Sequence, residues 1–249
     1  MARKFYLQNN NLEIGKSVTI TGDEFLHITK VLRNKVGDTI TLINGHGYDY
    51  GATISNIQKN SLTICINKKN LSNTETKNSV TVYQALVKAD KFELITQKLT
   101  ELGINQIVPF SSKFCQVKPN TTRLDRLEKI SIEALKQSGR SKKVIIGNIL
   151  EFNQMLEDLS KFDLVVFAYE NAKQNLSQEL FHINKKPLNI AIIVGSEGGF
   201  SSDEVEKLIS LNNVKMVSLG SRILRAETAS ISLTSVIMYL LGEWKIDEN

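Results

Sequence analysis

The sequence lacks the features that mark membrane, secreted and disulfide-rich proteins. No apolar run in its 249 residues is long enough to span a bilayer, and residues 1–4 lead into no signal-peptide core. Only two cysteines occur, Cys65 and Cys115, and they lack Cys-x-x-Cys spacing, so buried thiols are favoured over a disulfide or a metal site. These absences together predict a cytoplasmic protein.

Several common catalytic and nucleotide-binding motifs are also missing. The sequence contains no P-loop, no Gly-x-Ser-x-Gly nucleophile elbow and no Gly-x-Gly-x-x-Gly after the first strand of its α/β part. Its three histidines, His27, His46 and His182, have no metal-ligand spacing, and its carboxylates form no obvious catalytic pair. The sequence therefore predicts no metal site, and an enzyme of this kind would act by positioning two bound partners.

The charge that is present is unevenly distributed. Residues 1–72 hold nine basic and five acidic side chains, and this part therefore carries +4 of the formal net charge of +5. A mild basic excess is usually solvated surface charge, but its concentration in one part of the chain favours a polyanionic partner.

Residues 1–72 have the pattern of a small β-barrel domain. Three segments alternate polar with apolar residues, as half-buried strands do, and glycine-containing turns separate them. The predicted strands are residues 17–20, 39–43 and 61–66, and a short helix is predicted at 23–31 with Phe25, Ile28 and Leu32 on one face. The polar stretch at 70–78 is typical of a linker.

Residues 73–249 alternate strands with helices, as an α/β domain with a largely parallel sheet does. The apolar runs at residues 162–168 and 188–194 match buried parallel strands. Asp90 is a candidate N-cap and Gly103 a candidate end residue of one helix, while Ser201 begins another with a capping box to Glu204. The remaining predicted strands are 80–87, 107–110 and 214–219, and the remaining helices are 123–138 and 227–244.

Two glycine-containing junctions late in the sequence are its most informative feature. One is residues 192–201, IIVGSEGGFS, and the other is residues 219–229, LGSRILRAETA. In each, an apolar strand-like run breaks at glycine, where backbone can approach a ligand closely, and a helix-like pattern with free N–H groups follows. Ligands of open α/β sheets lie beyond the carboxyl ends of strands, so the two junctions together predict one binding site.

The two junctions resemble the signature of a known family. Gly-x-Glu-Gly-Gly-Phe-Ser followed by Leu-Gly-x-Arg-Ile-Leu-Arg-x-Glu-Thr-Ala is similar to the motif pair of the bacterial 16S rRNA (uracil-N3)-methyltransferases, the small-subunit methyltransferase E type of the SPOUT superfamily. The resemblance covers nearly the whole chain, because it includes residues 3–6, 27–38, 88–91, 98–103 and 137–140. One departure is Ser196, where the family usually has proline; serine leaves the turn less rigid but keeps its glycines.

The resemblance implies a fold and a cofactor. Residues 73–249 would form a SPOUT trefoil-knotted methyltransferase domain, preceded at residues 1–72 by a PUA-like β-barrel RNA-binding domain, and the protein would be a homodimer. The implied methyl donor is S-adenosyl-L-methionine (AdoMet), with no metal. The implied cofactor-binding residues are Tyr169, Gly195, Glu197, Gly198, Gly199, Leu219, Gly220, Ile223, Leu224 and Thr228.

The implied reaction is methylation of N3 of a specific uridine in 16S rRNA of the small ribosomal subunit. N3 carries a proton and is a poor nucleophile until that proton is lost, so the enzyme must remove it or stabilise the resulting anion. Arg225 and Arg222 are candidates for stabilising the anion, and Glu227 for orienting Arg225 or acting as the base; a salt bridge that only holds the loop is the alternative. The candidate RNA contacts are Arg3, Lys4, Arg33, Lys88, Lys91 and Arg140.

Two other functions are compatible with the sequence. A SPOUT 2′-O-ribose methyltransferase acting on tRNA or rRNA is the first, and the motif at residues 27–33 argues against it. A non-catalytic RNA-binding relative is the second. The intact glycines together with Arg222, Arg225 and Glu227 argue against that alternative, because an inactive relative is expected to lose them.

Overall fold

The structure is a computed structural model that describes residues 4–8, 12–177 and 187–244. Its strands are β1 (Lys4–Tyr6), β2 (Ser17–Thr21), β3 (Thr39–Ile43), β4 (Tyr48–Ile57), β5 (Ser61–Leu71), β6 (Ser79–Ala85), β7 (Gln106–Ser111), β8 (Ile145–Ile146), β9 (Leu150–Glu151), β10 (Leu164–Ala168), β11 (Asn189–Val194) and β12 (Val214–Val217). Its α-helices are α1 (Gly22–Leu26), α2 (Ala89–Leu102), α3 (Leu124–Ser138), α4 (Phe152–Asp158), α5 (Ser202–Ile209) and α6 (Ala226–Leu240). None of the helices in the described ranges is both long and apolar enough to cross a membrane.

Residue contacts divide the chain into two compact units. The first comprises Met1–Glu75 and Ile132–Lys143, and the second comprises Thr76–Ser131 and Val144–Asn249. The sequence predicts one boundary, between residues 72 and 73, and carries no signal that a later segment joins the first unit. The boundary between the domains therefore stays a prediction.

The first unit is built on one five-stranded sheet. Its strand order is β1-β3-β4-β5-β2, with antiparallel pairing throughout except for β1, which runs parallel to β3. Alternation along the strands places Ile40, Ile54 and Ile64 in the buried core. The three predicted strands are present, whereas β1 and β4 are additional to the prediction. Burial alternates along β4 from Tyr50 to Ile54, but the small residues Gly51 and Ala52 make this alternation hard to recognise in the sequence, and a β-bulge at Ser55 ends it.

The helix predicted at residues 23–31 has two parts. Helix α1 covers its first half, and a single π-helical turn, His27–Val31, continues it. Phe25 and Ile28 are buried, as the predicted apolar face requires. The Thr29 hydroxyl donates a hydrogen bond to the Phe25 carbonyl oxygen at 2.7 Å, which satisfies that carbonyl within the widened turn.

Residues 132–143 belong to the first unit because of ionic and hydrogen-bonded contacts. Lys136 pairs with Glu24 at 2.7 Å, and the Arg140 guanidinium pairs with Glu75 at 2.8 Å. Ser141 donates hydrogen bonds from its hydroxyl to Asp49 and from its amide to Glu75. Contacts between residues so far apart in sequence carry no periodic signal, so the sequence does not reveal them.

The second unit is built on a sheet in which every pairing is parallel. The strand order is β12-β10-β11-β6-β7-β8, and β9 also pairs with β7. The central strands are buried on both faces, which is why β10 and β11 are nearly continuous apolar runs. The predicted α/β class with a largely parallel sheet is confirmed, while the trefoil knot stays a prediction.

The predicted helix ends differ in how well they agree with the structure. Asp90 is not an N-cap, because the extended residue Lys88 holds that position and its carbonyl accepts the amides of Lys91 and Phe92. Gly103 does end α2, with a left-handed φ of 101°. The capping box that begins α5 is present. Helix α6 ends at Leu240 rather than continuing to residue 244.

Candidate functional site

Three adjacent parallel strands of the second unit have their carboxyl ends on the same side of the sheet. Strands β12, β10 and β11 are neighbours, so their carboxyl ends lie side by side. The segments that follow them enclose a cavity of about 400 Å³, lined by residues 168–170, 194–200, 219–220 and 222–226 together with Ala229. A pocket of this size accommodates a small-molecule ligand. The two junctions found in the sequence therefore meet at one cavity.

The first junction forms a tightly packed turn. The Gly199 amide donates to the Ser196 carbonyl at 3.0 Å. A Cβ at Gly195 would lie 2.8 Å from the Phe200 ring, and one at Gly198 would lie 2.7 Å from the backbone oxygen of Phe114. No side chain fits at either position, so these glycines are required by space rather than by an unusual φ. Their bare backbone forms part of the cavity wall.

The start of α5 holds this turn in place. The buried carboxylate of Glu204 accepts the Ser201 amide at 2.9 Å through Oε2 and the Lys113 amide at 2.9 Å through Oε1. The residue after Lys113 is Phe114, which abuts Gly198, so one carboxylate anchors both sides of the contact. The sequence indicates the capping box but carries no signal for its link to Lys113.

The second junction is more open. Gly220 has a φ of 100°, and a Cβ added there would have no atom within 4 Å, so glycine is required here by conformation. Ile223 is 92% exposed, and Arg222 and Arg225 are also exposed while lining the cavity. The two arginines place two cations at the cavity, whose lining also includes the exposed carboxylates of Glu170 and Glu197.

The cavity contains most of the predicted cofactor-binding residues. The members of this set that line the cavity are Tyr169, Gly195, Glu197, Gly198, Gly199, Leu219, Gly220, Ile223 and Leu224. Thr228 is exposed on the first turn of α6 and does not line the cavity. Helical position explains this difference, since Ala226 and Ala229 on the same helix face the cavity and Thr228 points elsewhere.

Glu227 is buried next to the cavity and pairs with Lys91. The Lys91 ammonium lies 3.1 Å from the Glu227 carboxylate, whose side chain is 11% exposed. Burial alone would raise the pKa of Glu227, but its own backbone amide, Lys91 and Arg225 together lower that pKa below its ordinary value. Glu227 is thus held ionised at the N-terminus of α6, where a negative charge is also favoured by the helix dipole.

Two buried polar atoms near the cavity have no hydrogen-bond partner in the described part of the chain. They are Oγ of Ser196, which lines the cavity, and Oε1 of Gln84 on the neighbouring strand β6. The amide nitrogen of Gln84 donates to the Ala85 carbonyl at 3.0 Å and more weakly to that of Gly195 at 3.4 Å. A buried polar atom without a partner is costly, so Ser196 is suited to bind a polar group of a ligand.

The predicted RNA-binding residues differ in their exposure and in their ion-pair partners. Lys4 is nearly buried and its ammonium contacts Asp49 at 2.7 Å, and Arg140 is buried against Glu75, so both side chains have structural partners and their contact with RNA stays a prediction. Lys91 pairs with Glu227. Arg33 and Lys88 are exposed, and Arg3 lies outside the described residues.

Comparison with known proteins identifies the domains and the family of this chain. Residues 74–238 match the model of the RNA methyltransferase domain, and residues 20–66 match that of the RNA methyltransferase PUA domain. The chain is 36% identical over 233 residues to a ribosomal RNA small subunit methyltransferase E from Rickettsia conorii, covering 93% of each chain. The chain belongs to the ribosomal RNA small subunit methyltransferase E family.

Other members of the methyltransferase E family agree in sequence and in structure. A relative from Bacillus subtilis is 31% identical, with 94% of each chain covered. The crystal structure of a ribosomal RNA small subunit methyltransferase E from Neisseria gonorrhoeae bound to S-adenosyl methionine superposes with a TM-score of 0.84 and 28% identity, covering 96% of this chain and 98% of that chain. The resemblance stated from the two junctions is thereby confirmed, as is the PUA-like character of the N-terminal domain.

No group of three or more His, Cys, Asp or Glu side chains that is able to hold a metal ion occurs in the described ranges. The cavity offers backbone amides, the Ser196 hydroxyl, two guanidinium groups and the carboxylates of Glu170 and Glu197. Such a set binds an organic ligand with polar ends and stabilises negative charge near it.

Proposed function

We propose that this protein is an AdoMet-dependent methyltransferase that methylates N3 of a uridine in the 16S rRNA of the small ribosomal subunit. The observation that carries the proposal is the meeting of both family junctions at one cavity. The family relationship and the AdoMet-bound relative support the choice of cofactor and RNA class. The choice of N3 rests on the family resemblance of the junction motifs.

The residues of the cavity fit AdoMet. Leu219 and Leu224 offer apolar surface for the adenine, the Gly195–Gly199 turn offers backbone groups for polar contacts, and the free Ser196 hydroxyl offers one further hydrogen bond. When bound, AdoMet supplies an electrophilic methyl group on a positively charged sulfur. The role of this chain is then to hold that group and to bring a nucleophile into line with it.

Arg225 and Arg222 are proposed to stabilise the uracil anion. Both are exposed at the open side of the cavity, where the base of an RNA substrate must arrive. A guanidinium next to a uracil oxygen stabilises the charge that remains when N3 gives up its proton to solvent water at the exposed side of the cavity. This stabilisation is greater for the anion than for the neutral base, as catalysis requires.

Glu227 is proposed to position the catalytic arginine rather than to act as the base. Its pKa is lowered and its carboxylate is occupied by Lys91, so it has little tendency to take a proton. As the residue two places after Arg225, it anchors the N-terminus of α6 from which Arg225 extends.

The homodimer implied by the resemblance is proposed on the basis of α6. Val236 and Tyr239 lie three residues apart on this helix and are 42% and 67% exposed, which leaves apolar surface uncovered. Tyr239→Asp should shift the protein from dimer to monomer in light scattering, whereas Ile209→Asp on α5 should not. A wild-type monomer at working concentration would contradict the proposal.

The predicted cytoplasmic location stays a prediction.

Nucleoside mass spectrometry tests the proposed reaction. Incubation with AdoMet and 16S rRNA, either free or in small subunits lacking the modification, should produce N3-methyluridine. A 2′-O-methylated nucleoside instead would favour the ribose methyltransferase alternative. Absence of AdoMet binding in calorimetry would favour the non-catalytic RNA-binding alternative.

A further inference from the structure

Four charged side chains line the cavity of the second unit, two of each sign. The guanidiniums of Arg222 and Arg225 come from the segment after β12, and the carboxylates of Glu170 and Glu197 come from the segments after β10 and β11. All four residues are exposed. The arginines have a proposed role at the uracil, whereas the two carboxylates have no role in the reaction as described so far.

The two carboxylates share one wall of the cavity. The Tyr169 amide donates to the Val217 carbonyl at 3.1 Å, which ties the start of the segment that carries Glu170 to β12. A Cβ at Gly199 would lie 3.8 Å from Oε1 of Glu170, so this carboxylate lies over the glycine turn that follows β11. Glu197 belongs to that same turn. The fold thus brings two negative charges from separate segments to one side of the ligand site.

Polar groups on this wall have no partners within the protein. Neither Glu170 nor Glu197 forms an ion pair or a side-chain hydrogen bond with any residue in the ranges that the structure describes. The hydroxyl of Ser196, which is 8% exposed and precedes Glu197 in the turn, also has no partner there. Because a buried hydroxyl without a partner is costly, this wall is suited to a ligand with cationic and hydrogen-bonding groups.

AdoMet is a ligand of that kind, and it differs in charge from the product of methyl transfer. AdoMet carries a positively charged sulfonium in addition to its zwitterionic amino-acid end. The product S-adenosyl-L-homocysteine (AdoHcy) keeps the amino-acid end, but its sulfur is a neutral thioether. The two ligands therefore differ by one positive charge and one methyl group. A site distinguishes them only through groups that interact with that charge or that methyl group.

The charges of the cavity wall act on this difference. Arg222 and Arg225 by themselves would repel the cationic AdoMet and leave the neutral AdoHcy as the tighter ligand. Glu170 and Glu197 offset them, because the lining then holds equal numbers of positive and negative side chains. A cavity of about 400 Å³ is on the order of 10 Å across, close to the Debye length of about 8 Å, so charges on its walls act on a ligand inside it.

We infer that Glu170, together with Glu197, makes the cavity bind AdoMet in preference to AdoHcy. The preference limits inhibition of the enzyme by its own product while the arginines stay available to the uracil. This inference rests on the proposed function for its ligand and assigns to the same site a residue that determines which form of the cofactor is held.

Calorimetry with the full-length protein tests the inference. Glu170→Gln keeps the shape of the side chain and removes its charge. It should weaken AdoMet binding about fivefold and change AdoHcy binding by less than about twofold. Glu206→Gln, an equal change of charge on an exposed residue of α5 outside the cavity lining, should change neither affinity. Equal losses for both ligands, or no loss for either, would overturn the inference.

A conservative variant and added salt separate the effect of charge from that of shape. Glu170→Asp keeps the charge and should retain most of the preference for AdoMet. Raising the salt concentration should reduce the difference between wild-type protein and Glu170→Gln, because salt screens exposed charges. A preference as low in Glu170→Asp as in Glu170→Gln, or a difference that salt leaves unchanged, would assign the effect to side-chain shape and overturn the inference.

The binding measurement also separates this inference from the proposed function. If Glu170→Gln loses the preference but wild-type protein produces no N3-methyluridine, the proposed reaction alone is refuted. If wild-type protein produces N3-methyluridine and Glu170→Gln binds both ligands as wild-type protein does, the inference alone is refuted.

Discussion

The segments 195–200 and 219–225 both place glycine after a parallel strand, yet they need it for different reasons. In the first, neighbouring atoms leave no room for a side chain at Gly195 or Gly198. In the second, the space around Gly220 is open and only its φ requires glycine. One wall of the cavity is therefore fixed by packing, and the other presents Arg225 and Ile223 to solvent.

This difference suggests that one segment holds a bound ligand and that the other takes part in the reaction of a substrate. A packed turn is preorganised and suits a ligand that must be held in one position. An exposed segment with two cations suits a substrate that arrives from solution and whose charge changes during reaction. Variants of the first segment should therefore affect AdoMet binding most, and variants of the exposed arginines in the second should affect turnover most.

The largest expected effect is on turnover. Arg225→Ala should lower kcat about 10²- to 10³-fold, because it removes a group that stabilises developing charge, while AdoMet affinity stays within about threefold. Single-turnover methylation and calorimetry measure the two quantities. Arg123→Ala, an equal change of charge on an exposed residue distant in sequence, serves as the control. Retained turnover would refute the assignment of Arg225.

The packed turn should show the opposite pattern. Gly198→Ala forces its Cβ against the Phe114 carbonyl, so the turn must shift, and AdoMet affinity should fall at least about tenfold in calorimetry. Gly220→Ala meets no such atom and introduces only backbone strain, which costs about 1 kcal/mol of stability. A larger loss of AdoMet affinity in Gly220→Ala than in Gly198→Ala would break the distinction between the two segments.

The ion pair beneath the open segment should give a pH-dependent effect on stability. The pKa of Glu227 is lowered in the folded protein, so its pairing stabilises the fold above the unfolded pKa of about 4 and is lost as pH falls through the folded value. Lys91→Met should therefore cost about 1 kcal/mol at pH 7 and progressively less below pH about 4. Urea unfolding at several pH values measures this.

A control for that experiment is Lys98→Met, which removes an exposed partner of Glu101 on the same helix. It should change stability by less than about 0.5 kcal/mol at all pH values. A pH-independent loss in Lys91→Met would indicate that packing of its side chain, rather than charge, holds α6.

The smallest effect is expected at Ser196. Ser196→Ala removes a buried hydroxyl that has no partner in the described part of the chain, so the unliganded protein should be no less stable. If the hydroxyl binds AdoMet, affinity should fall about threefold. Thermal unfolding with and without AdoMet measures both, and an unchanged ligand-induced shift in Tm would remove Ser196 from the set of cofactor contacts.

Much of this fold is predictable because the spacing of apolar residues along the sequence indicates which side chains are buried. The apolar runs at β10 and β11, the alternation in β2, β3 and β5, and the capping box at Ser201 each have a local signal. The strand β4 escapes prediction because the small residues Gly51 and Ala52 weaken the apolar contrast of its alternation, which a bulge at Ser55 then ends. The prediction of Asp90 as an N-cap is wrong because the local sequence does not reveal that α2 begins at Ala89, with Lys88 as its N-cap.

The candidate site is predictable to the extent that its residues lie in two continuous motifs. Nine of the ten predicted cofactor-binding residues line the cavity, because a strand end followed by glycine determines where the backbone goes. Partners of charged side chains are not predictable in this way. Lys4, Lys91 and Arg140 are predicted as RNA contacts, and each is engaged by a carboxylate distant in the sequence.

The return of residues 132–143 to the first unit has a consequence for how this protein can be cut or recombined. The chain passes from one unit to the other three times, so neither unit is a single stretch of gene. A fragment ending near residue 72 would lack Lys136, the partner of Glu24, and Ser141, which donates to Asp49, while Asp49 would keep its ion pair with Lys4. A single crossover between relatives would therefore place Glu24 and Asp49 against the other relative's counterpart of residues 132–143, so that segment must be exchanged together with the N-terminal module.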